Sequence, residues 1–231
     1  MSQPFPAQDL IEAGLNRHAI FDIDALPASL TETWDARGRQ LILIGHGGKR
    51  LWEAVKAAGL SGDDPIDDFT VATLHAWFAR HLPGHVYRIM YPGDAPLGLQ
   101  ALGALAGWHH PTPFMVGIDT EWGSWFAYRA VVIADTRFEP SKPVDRSNPC
   151  NTCTETPCIS HCPAGAPARA GFDLQRCIAY RQSAGSACSA TCLARLACPV
   201  GTEHSYDADQ MHHTYSRSLQ LIEKFSRQNP A

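Results

Sequence analysis

The placement of cysteine restricts what this chain can fold into more than any other feature. Residues 1–149 contain no cysteine, and all eight cysteines lie within the 49 residues from Cys150 to Cys198. A chain that used cysteine only for packing or for scattered disulfides would spread it more evenly. The clustering therefore indicates a site, built from Cys150, Cys153, Cys158, Cys162, Cys177, Cys188, Cys192 and Cys198.

The spacing of these cysteines favours iron–sulfur clusters. Thiolates at short spacing suit iron–sulfur clusters or zinc, and each half of the segment ends in a Cys-Pro pair, Cys162-Pro163 and Cys198-Pro199. In bacterial ferredoxins with two clusters, a C-x2-C-x2-C-x3-C-P run gives three ligands to one cluster and its last cysteine to the other. Both halves here are looser than that run. The count of eight nonetheless equals the ligands of two 4Fe–4S clusters.

The same exchange of the last cysteine predicts two ligand sets. One cluster is expected on Cys150, Cys153, Cys158 and Cys198, and the other on Cys162, Cys177, Cys188 and Cys192. Three alternatives stay open at this point. Disulfides need an oxidising compartment, structural zinc usually shows paired knuckles of which only Cys150/Cys153 has the spacing, and a single cluster would leave spare thiols.

Charge and hydropathy exclude several classes of protein. With 45% hydrophobic residues and six tryptophans the chain can bury a core, and a formal charge of −4 does not favour a nucleic-acid partner. No stretch approaches 18 consecutive apolar residues, so a membrane span is not expected. The first ten residues lack the basic region and apolar run of a signal peptide, and we therefore expect a cytoplasmic protein.

Hydrophobic periodicity predicts helices and strands in alternation up to about residue 135. Helices are expected at 8–18, 48–58, 65–82 and 97–107, strands at 40–45, 86–91, 114–118 and 124–133, and a polar helix from Tyr206 to Arg227. The strands at 114–118 and 124–133 are expected to pair across a turn. The pattern predicts an α+β (or α/β) fold, with a proline-rich bridge over 139–149 that divides the chain into domains at 1–141 and 142–231.

Several short segments carry a resemblance to known families. The order Leu102-Gly-Ala-Leu-Ala-Gly-Trp108, Gly123-Ser-Trp-Phe126, a cysteine run ending in Cys-Pro-x-Gly-Ala, and Cys177-Ile-Ala-Tyr180 resembles epoxyqueuosine reductase. Corrinoid reductive dehalogenases share this plan more distantly. The first domain is also similar to CblC-type cobalamin-processing proteins, through Asp64-Pro-Ile-Asp67 and Gly123-Ser-Trp-Phe-Ala-Tyr-Arg129. The resemblance implies a modified nitroreductase-like cobalamin-binding domain followed by a bacterial-ferredoxin-like two-cluster module with a C-terminal helix.

The resemblance further implies base-off cobalamin as a cofactor besides the two 4Fe–4S clusters. Its corrin contacts, carried over by position, are Gly107, Trp108, His109, His110, Gly123, Ser124, Trp125, Phe126 and Ala127. Arg129 corresponds to a CblC-family arginine that helps to bind glutathione. A buried guanidinium needs an anionic or carbonyl partner, so a structural salt bridge from Arg129 to Asp119 or Glu121 is the alternative interpretation.

The expected function is reductive corrinoid processing, meaning decyanation or dealkylation of corrinoids by electrons from the clusters. The partners would be a corrinoid ligand, a reductase, flavodoxin or ferredoxin as electron donor, and a cobalamin-dependent acceptor enzyme. Alternatives are a non-catalytic corrinoid chaperone and a ferredoxin-type electron carrier. An epoxyqueuosine-reductase-like tRNA enzyme is less favoured, because Gly93 stands where that family has a catalytic aspartate, Asp94 is one place out of step, and the helical-repeat domain is not seen. We assign no catalytic residue.

Overall fold

The chain divides into two compact units. The computed structural model describes residues 3–32, 34, 36, 38–142 and 147–228. The sheet unit comprises Met1–His109 and Phe126–Asp145, and the cysteine unit comprises His110–Trp125 and Arg146–Ala231. Residues 110–125, which the expected division at 141/142 assigns to the first domain, thus group with the cysteines. The bridge at 139–149 includes residues 143–146, which lie outside the described residues.

The sheet unit follows the chain through five helices and four strands among the described residues. Their order is α1 (Gln8–Glu12), β1 (Arg17–Asp22), α2 (Ala28–Thr31), β2 (Gln40–Gly47), α3 (Arg50–Ala57), α4 (Pro65–His81), β3 (Tyr87–Tyr91), α5 (Leu99–Leu105) and β4 (Phe126–Ala134). The strands form one antiparallel sheet in the order β1-β2-β4-β3. Because the sheet is antiparallel and helices accompany it, the predicted α+β class is confirmed.

Strand β2 is central because it is an apolar run buried along its whole length. Ala130 of β4 lies opposite Ile44, and a β-bulge separates Ile44 from Gly45. Helices α3 and α4 pack on this sheet through side chains in one apolar core, which includes Leu51, Trp52, Leu74, Trp77, Phe78, Ile42, Ile44 and Val132. The strand predicted at 40–45 and the helices predicted at 48–58 and 65–82 are therefore confirmed.

Two sequence predictions for local structure were wrong. The helix expected over 8–18 ends at Glu12, and Gly14 has a φ of +84°, after which 17–22 forms β1. The segment 114–118 is not a strand, and Met115 has a φ of +70°. Strand β4 pairs instead with β2 and β3, since those strands offer it long edges to hydrogen-bond.

The cysteine unit is built from short elements around the cysteines, followed by one long helix. They are α6 (Pro157–Ser160), the two-residue strands β5 (Pro167–Ala168) and β6 (Gly171–Phe172), α7 (Leu174–Gln182), α8 (Leu193–Leu196) and α9 (Ala208–Gln228). Two small cores support them. One joins Phe114 to Cys158 and Ala194, and the other joins Trp125 to Tyr206, Met211 and Tyr215. The helix predicted after Tyr206 is confirmed, and no described helix is both long and apolar enough to span a membrane.

Candidate functional site

Each cysteine of the cysteine unit is held by a short turn or helix end. Cys150 lies in a 3-10 helix, Pro149–Asn151, whose preceding Asn148 accepts a hydrogen bond from the Cys150 N–H at 2.9 Å. Cys158 lies in α6, Cys177 in α7, and Cys192 immediately before α8. All eight cysteines are free thiols, so the structure contains none of the disulfides that the sequence left open.

Four of the thiols surround a first cavity of about 390 Å³. Its cysteines are Cys150, Cys153, Cys158 and Cys198. Pro111, Phe114 and Ile118 also line it, and they come from the segment that precedes β4. Residues far apart in the sequence therefore enclose this cavity, and the segment 110–125 contributes one wall of it.

The other four thiols surround a second cavity, also of about 390 Å³. Its cysteines are Cys162, Cys177, Cys188 and Cys192. Phe114 lines both cavities, so a single aromatic ring borders the two thiol sets. The two sets have the same members as the two expected ligand sets. Within the described residues, no three His, Cys, Asp or Glu side chains converge closely enough to chelate one metal ion.

Interactions among the thiols follow the same division. Burial, followed by the neighbouring thiols Cys198, Cys158 and Cys153, raises the pKa of Cys150 to about 11. Burial also raises the pKa of Cys177, where the neighbouring thiols are Cys192, Cys162 and Cys188. Cys150 and Cys177 are thus each influenced by thiols of their own set.

Backbone N–H groups are directed at three of the thiols. Burial raises the pKa of the Cys158 and Cys198 thiols, and the N–H of Ile159 opposes that rise at Cys158 as the N–H of Val200 does at Cys198. In the second set, burial also raises the pKa of Cys188, and the N–H of Leu193 opposes that rise. Such groups favour a negatively charged sulfur, which is the form that binds iron.

The sheet unit contains six of the ten residues that the resemblance implies around a corrin and its thiol co-substrate: Gly107, Trp108, His109, Phe126, Ala127 and Arg129. The Trp108 ring stacks on that of Tyr128 with centroids 6.5 Å apart. The guanidinium of Arg17 lies 4.7 Å from the Trp108 ring centroid and 4.8 Å from that of Phe126. These contacts join β1, β4 and the segment after α5 into one aromatic cluster.

Gly45 allows this aromatic cluster to form at the β-bulge. A Cβ at Gly45 would lie 2.9 Å from the carbonyl oxygen of Ala127 and 3.2 Å from Cζ3 of Trp108. Any larger residue would therefore push Trp108 or β4 away. The Tyr128 hydroxyl also lies 3.2 Å from Nδ1 of His109, which fixes the side chain that follows Trp108.

Arg129 points to a different partner from those expected. Its Nε donates to Nδ1 of His46 at 2.9 Å, which links β4 to β2. His46 is fully buried. Burial raises the pKa of Asp67, and the positive charge of Arg129 opposes that rise. The guanidinium is therefore close to a carboxylate in the first turn of α4, at the end of the Asp64-Pro-Ile-Asp67 motif.

The other four expected contacts belong to the cysteine unit: His110, Gly123, Ser124 and Trp125. Ser124 and Trp125 are 0% and 1% exposed. The Ser124 carbonyl and hydroxyl accept from Arg195, and the Arg195 guanidinium lies 4.5 Å from the Trp125 ring centroid. Both side chains thus serve internal packing in the structure.

Gly123 and His110 differ from this pair. Gly123 has a φ of +57°, and a Cβ there would collide with the backbone carbonyl of Val200, so a glycine is required for close approach to the Cys198-Pro-Val segment. His110 has a buried Nε2 with no hydrogen-bond partner in the described part of the chain. A buried polar atom of this kind calls for an explanation, such as a ligand.

Sequence reasoning missed three residues that line the second thiol cavity, Phe114, Arg181 and Tyr215, and a fourth, Arg195, that bears on Tyr215. Phe114 was interpreted as part of a strand, and Arg181, Arg195 and Tyr215 were not considered. Arg181 and Arg195 are 8% and 4% exposed. The only available signal was the position of each arginine within a few residues of a cysteine, and that spacing alone does not predict burial.

No protein-family model and no curated protein sequence matches this chain. Solved structures do match it. Epoxyqueuosine reductase from Streptococcus thermophilus has a TM-score of 0.52 at 15% identity, over 84% of this chain and 64% of that protein. The B12-trafficking protein CblC from C. elegans has a TM-score of 0.53 at 14% identity, over 92% of this chain and 91% of that one.

A reductive dehalogenase whose structure suggests a mechanism for B12-dependent dehalogenation has a TM-score of 0.54 at 16% identity. It matches over 93% of this chain and 33% of that protein. The chain therefore spans less than two thirds of the epoxyqueuosine reductase and about a third of the dehalogenase. Structural similarity to all three kinds of protein over most of the chain is confirmed, and at these identities it establishes the fold.

Proposed function

We propose that this chain is an iron–sulfur protein that binds cobalamin in the base-off state and passes electrons to it for corrinoid decyanation or dealkylation. One observation carries the proposal. Eight free thiols line two cavities, four in each, and the fold is shared with a B12-trafficking protein and with a reductive dehalogenase of B12-dependent dehalogenation. The expected division at 141/142 and the nitroreductase-like and ferredoxin-like assignments of the two parts belong to this proposal.

The thiols suit the clusters in number, chemistry and position. Cys150, Cys153, Cys158 and Cys198 would hold one 4Fe–4S cluster, and Cys162, Cys177, Cys188 and Cys192 would hold the other. When bound, the clusters supply one-electron transfer and cobalamin supplies a reducible cobalt centre. The chain's own contribution is to bury Cys158, Cys188 and Cys198, to direct backbone N–H groups at these three thiols, and to place Phe114 beside both sets.

The corrin contacts are proposed at the residues of the sheet unit that retain exposed surface. Gly107, His109, Ala127 and Arg129 are partly exposed, and a corrin requires small residues for close approach and donors for its peripheral amides. Trp108 and Phe126 would stiffen the surface from beneath, since both are buried against Arg17.

A corrinoid chaperone is the second candidate function. The likeness to the B12-trafficking protein extends over 92% of this chain and 91% of that one, which favours a role in corrinoid handling with or without turnover. Turnover with a low-potential reductant and cyanocobalamin separates the two candidates. A reductase releases cyanide repeatedly, whereas a chaperone binds the corrinoid without catalytic release of its upper ligand.

The test is anaerobic purification with iron and sulfide counts, followed by titration with cobalamin. We expect about eight iron atoms per chain, as two 4Fe–4S clusters require, and an absorbance shift to the base-off form when protein is in excess. The variant Ala127→Leu should weaken cobalamin binding without changing the iron count, while Ala79→Leu on the exposed face of α4 should change neither. Absence of the base-off shift at full iron loading would contradict the corrinoid part of the proposal.

A further inference from the structure

A buried arginine, Arg181, lines the cavity of the second thiol set, and a second buried arginine, Arg195, bears on Tyr215 in the same lining. Arg181 on α7 and Arg195 on α8 are 8% and 4% exposed. The partners of both guanidinium groups described below are neutral oxygens and aromatic rings. A buried cation that is not neutralised by a carboxylate favours any nearby group that gains negative charge.

Arg181 ties α7 to the Cys188 loop and to α9. Its Nε donates to the carbonyl oxygen of Cys188 at 3.2 Å, its Nη2 to that of Tyr215 at 2.7 Å, and its Nη1 to Oγ of Ser218 at 3.2 Å. Burial raises the pKa of the Cys177 and Cys188 thiols, and the charge of Arg181 opposes that rise. Its field therefore reaches two of the four sulfur atoms.

Arg195 reaches the same set through Tyr215. Tyr215 lines the second cavity together with Cys192. Burial raises the pKa of Tyr215, and Arg195 opposes that rise while Cys192 adds to it. The Arg195 guanidinium is held in place by the Ser124 carbonyl and by the Trp125 and Tyr206 rings, whose centroids lie 4.5 Å and 4.7 Å away. A Tyr215 hydroxyl that donates to a sulfur atom and is polarised by a cation makes a stronger bond than a neutral pair would.

The first thiol set has a different environment. Arg169 lines its cavity, but that side chain is exposed and its Nη2 donates to the carbonyl oxygen of Thr154 at 2.9 Å. Water screens an exposed charge, so a guanidinium at low exposure acts more strongly on nearby sulfur. The two cavities therefore differ in the burial of the arginine that lines them, although each has four thiols and about the same volume.

We infer that Arg181, Arg195 and Tyr215 give the cluster held by Cys162, Cys177, Cys188 and Cys192 a higher reduction potential than the cluster held by the first set. Net charge and hydrogen bonds to sulfur are among the factors that set such potentials. One electron from an external low-potential donor adds one negative charge and no proton, and the two guanidinium groups stabilise that charge. An electron entering the chain would thus reside beside α7 and α8. The inference rests on the proposed function for its two clusters.

The experiment is an EPR-monitored redox titration of the anaerobically loaded full chain, with dithionite as the electron donor. We expect two separated midpoint potentials. Tyr215→Phe should lower the higher one by about 59 mV, which is a tenfold change in the equilibrium constant of a one-electron couple, and should leave the lower one unchanged. Arg181→Gln should act in the same direction, and Arg181→Lys should restore part of the loss because it keeps the charge.

Two further variants assign the signals. Tyr206→Phe removes a hydroxyl from beside Arg195 without removing a partner of Cys192, and should shift neither potential appreciably. Cys162→Ala should abolish the higher potential and keep the lower. Every variant is compared at equal circular dichroism and at a measured iron count, so that misfolding is distinguished from tuning.

Three outcomes would overturn the inference: equal potentials in the wild type, a higher potential that survives Cys162→Ala, or unchanged potentials in both Tyr215→Phe and Arg181→Gln. Each of these leaves the proposed function intact if about eight iron atoms and the base-off shift are found. A chain that binds no iron would overturn both.

Discussion

The imidazole of His18 is enclosed in the sheet unit, and we therefore expect the free energy of unfolding to decrease at acidic pH. Its Nε2 is buried with no hydrogen-bond partner in the described part of the chain, and Phe5 lies 5.1 Å from its ring. Burial lowers the pKa of His18 to about 4, although a bond to the Leu15 backbone opposes the shift. Between pH 6.5 and 4 the unfolded chain therefore binds the proton more tightly than the folded chain does.

By linkage, the free energy of unfolding has its full value above pH 6.5 and decreases as the pH falls toward 4. The largest loss for such a shift is about 3 kcal/mol. We expect His18→Gln to flatten the stability profile between pH 4 and pH 6.5, whereas His212→Gln, at an exposed position of α9, should retain the wild-type slope. Urea denaturation from pH 4 to pH 7.5 measures it. Parallel profiles for wild type and His18→Gln would refute the assignment.

Gly123 makes a second prediction for a single residue. Its φ of +57° and its contact with the Val200 carbonyl leave no room for a side chain, and Gly201 faces it at φ +66°. Gly123→Ala should therefore destabilise the fold by more than the roughly 1 kcal/mol that a left-handed residue costs. Gly185→Ala is the matched control, because Gly185 has a φ of +73° and open space around it. Thermal unfolding should rank the two variants, and equal losses would argue against the contact.

Among single residues, the grouping of the thiols can be inferred from the sequence, whereas the packing partners of the expected corrin contacts cannot. Residue type and spacing together indicate the chemistry of a cysteine, so all eight could be named as expected cluster ligands. Arg129 also stood out as a charge in an apolar strand, but its partner His46 is 83 residues away in the chain. Ser124 and Trp125 were expected as corrin contacts from motif position alone, and both contact Arg195 in the structure. Long-range partners of this kind leave no local pattern.

Among the elements, strongly periodic segments were predictable and ambiguous short ones were not. Helix α4 begins at Pro65 after Asp64, as the Asp-Pro pair predicted. The apolar residues of 8–18 fit a helix equally well on either side of Gly14, yet a Cβ at Gly14 would lie 2.5 Å from Cα of Leu51. Tertiary packing of α3 against that glycine ends the helix there and leaves 17–22 free to form β1.

In helix α5 we expect a glycine-to-alanine substitution to destabilise the fold, which is the opposite of what helix propensity predicts. Replacing glycine by alanine inside a helix usually stabilises it by roughly 1 kcal/mol. At Gly103, however, a Cβ would collide with the Tyr128 hydroxyl and lie 2.5 Å from Cζ of that ring. The ring cannot move freely, because it stacks on Trp108 and its hydroxyl bonds His109.

Gly103→Ala should therefore lower the free energy of unfolding by about 1–3 kcal/mol, the usual cost of overpacking. Ala104→Gly, at an exposed position of the same helix, should cost only the difference in propensity. Chemical denaturation of both variants provides the comparison. A stabilised Gly103→Ala variant would mean that α5 does not pack on β4 through this glycine.

For the whole molecule, the assignment of residues 110–125 could not be predicted. Local hydropathy predicted a hairpin strand at 114–118, whereas Pro111, Phe114 and Ile118 line the first thiol cavity. Its membership in the cysteine unit depends on residues such as Val200, which contacts Gly123 from far along the chain. The thiol sets were accessible from the sequence because the ferredoxin pattern encodes a long-range exchange in local spacing.

The division of the thiols makes the last prediction, which concerns non-additivity. Cys158 and Cys162 are four residues apart but belong to different sets, while Cys153 and Cys198 are far apart and share one. Each single Cys→Ala variant should lose one cluster, and so about four of about eight iron atoms. Cys153→Ala with Cys198→Ala should lose no more than either alone, because both remove the same cluster.

The contrasting pair is Cys153→Ala with Cys162→Ala, which removes a ligand from each set and should bind almost no iron. Iron and sulfide counts after anaerobic reconstitution distinguish the pairs. If sequence neighbours rather than cavity neighbours shared a cluster, Cys153 and Cys162 would behave as one unit and Cys153 and Cys198 as two. Because the two groupings predict opposite results for the same two double variants, the iron count decides between them independently of any activity.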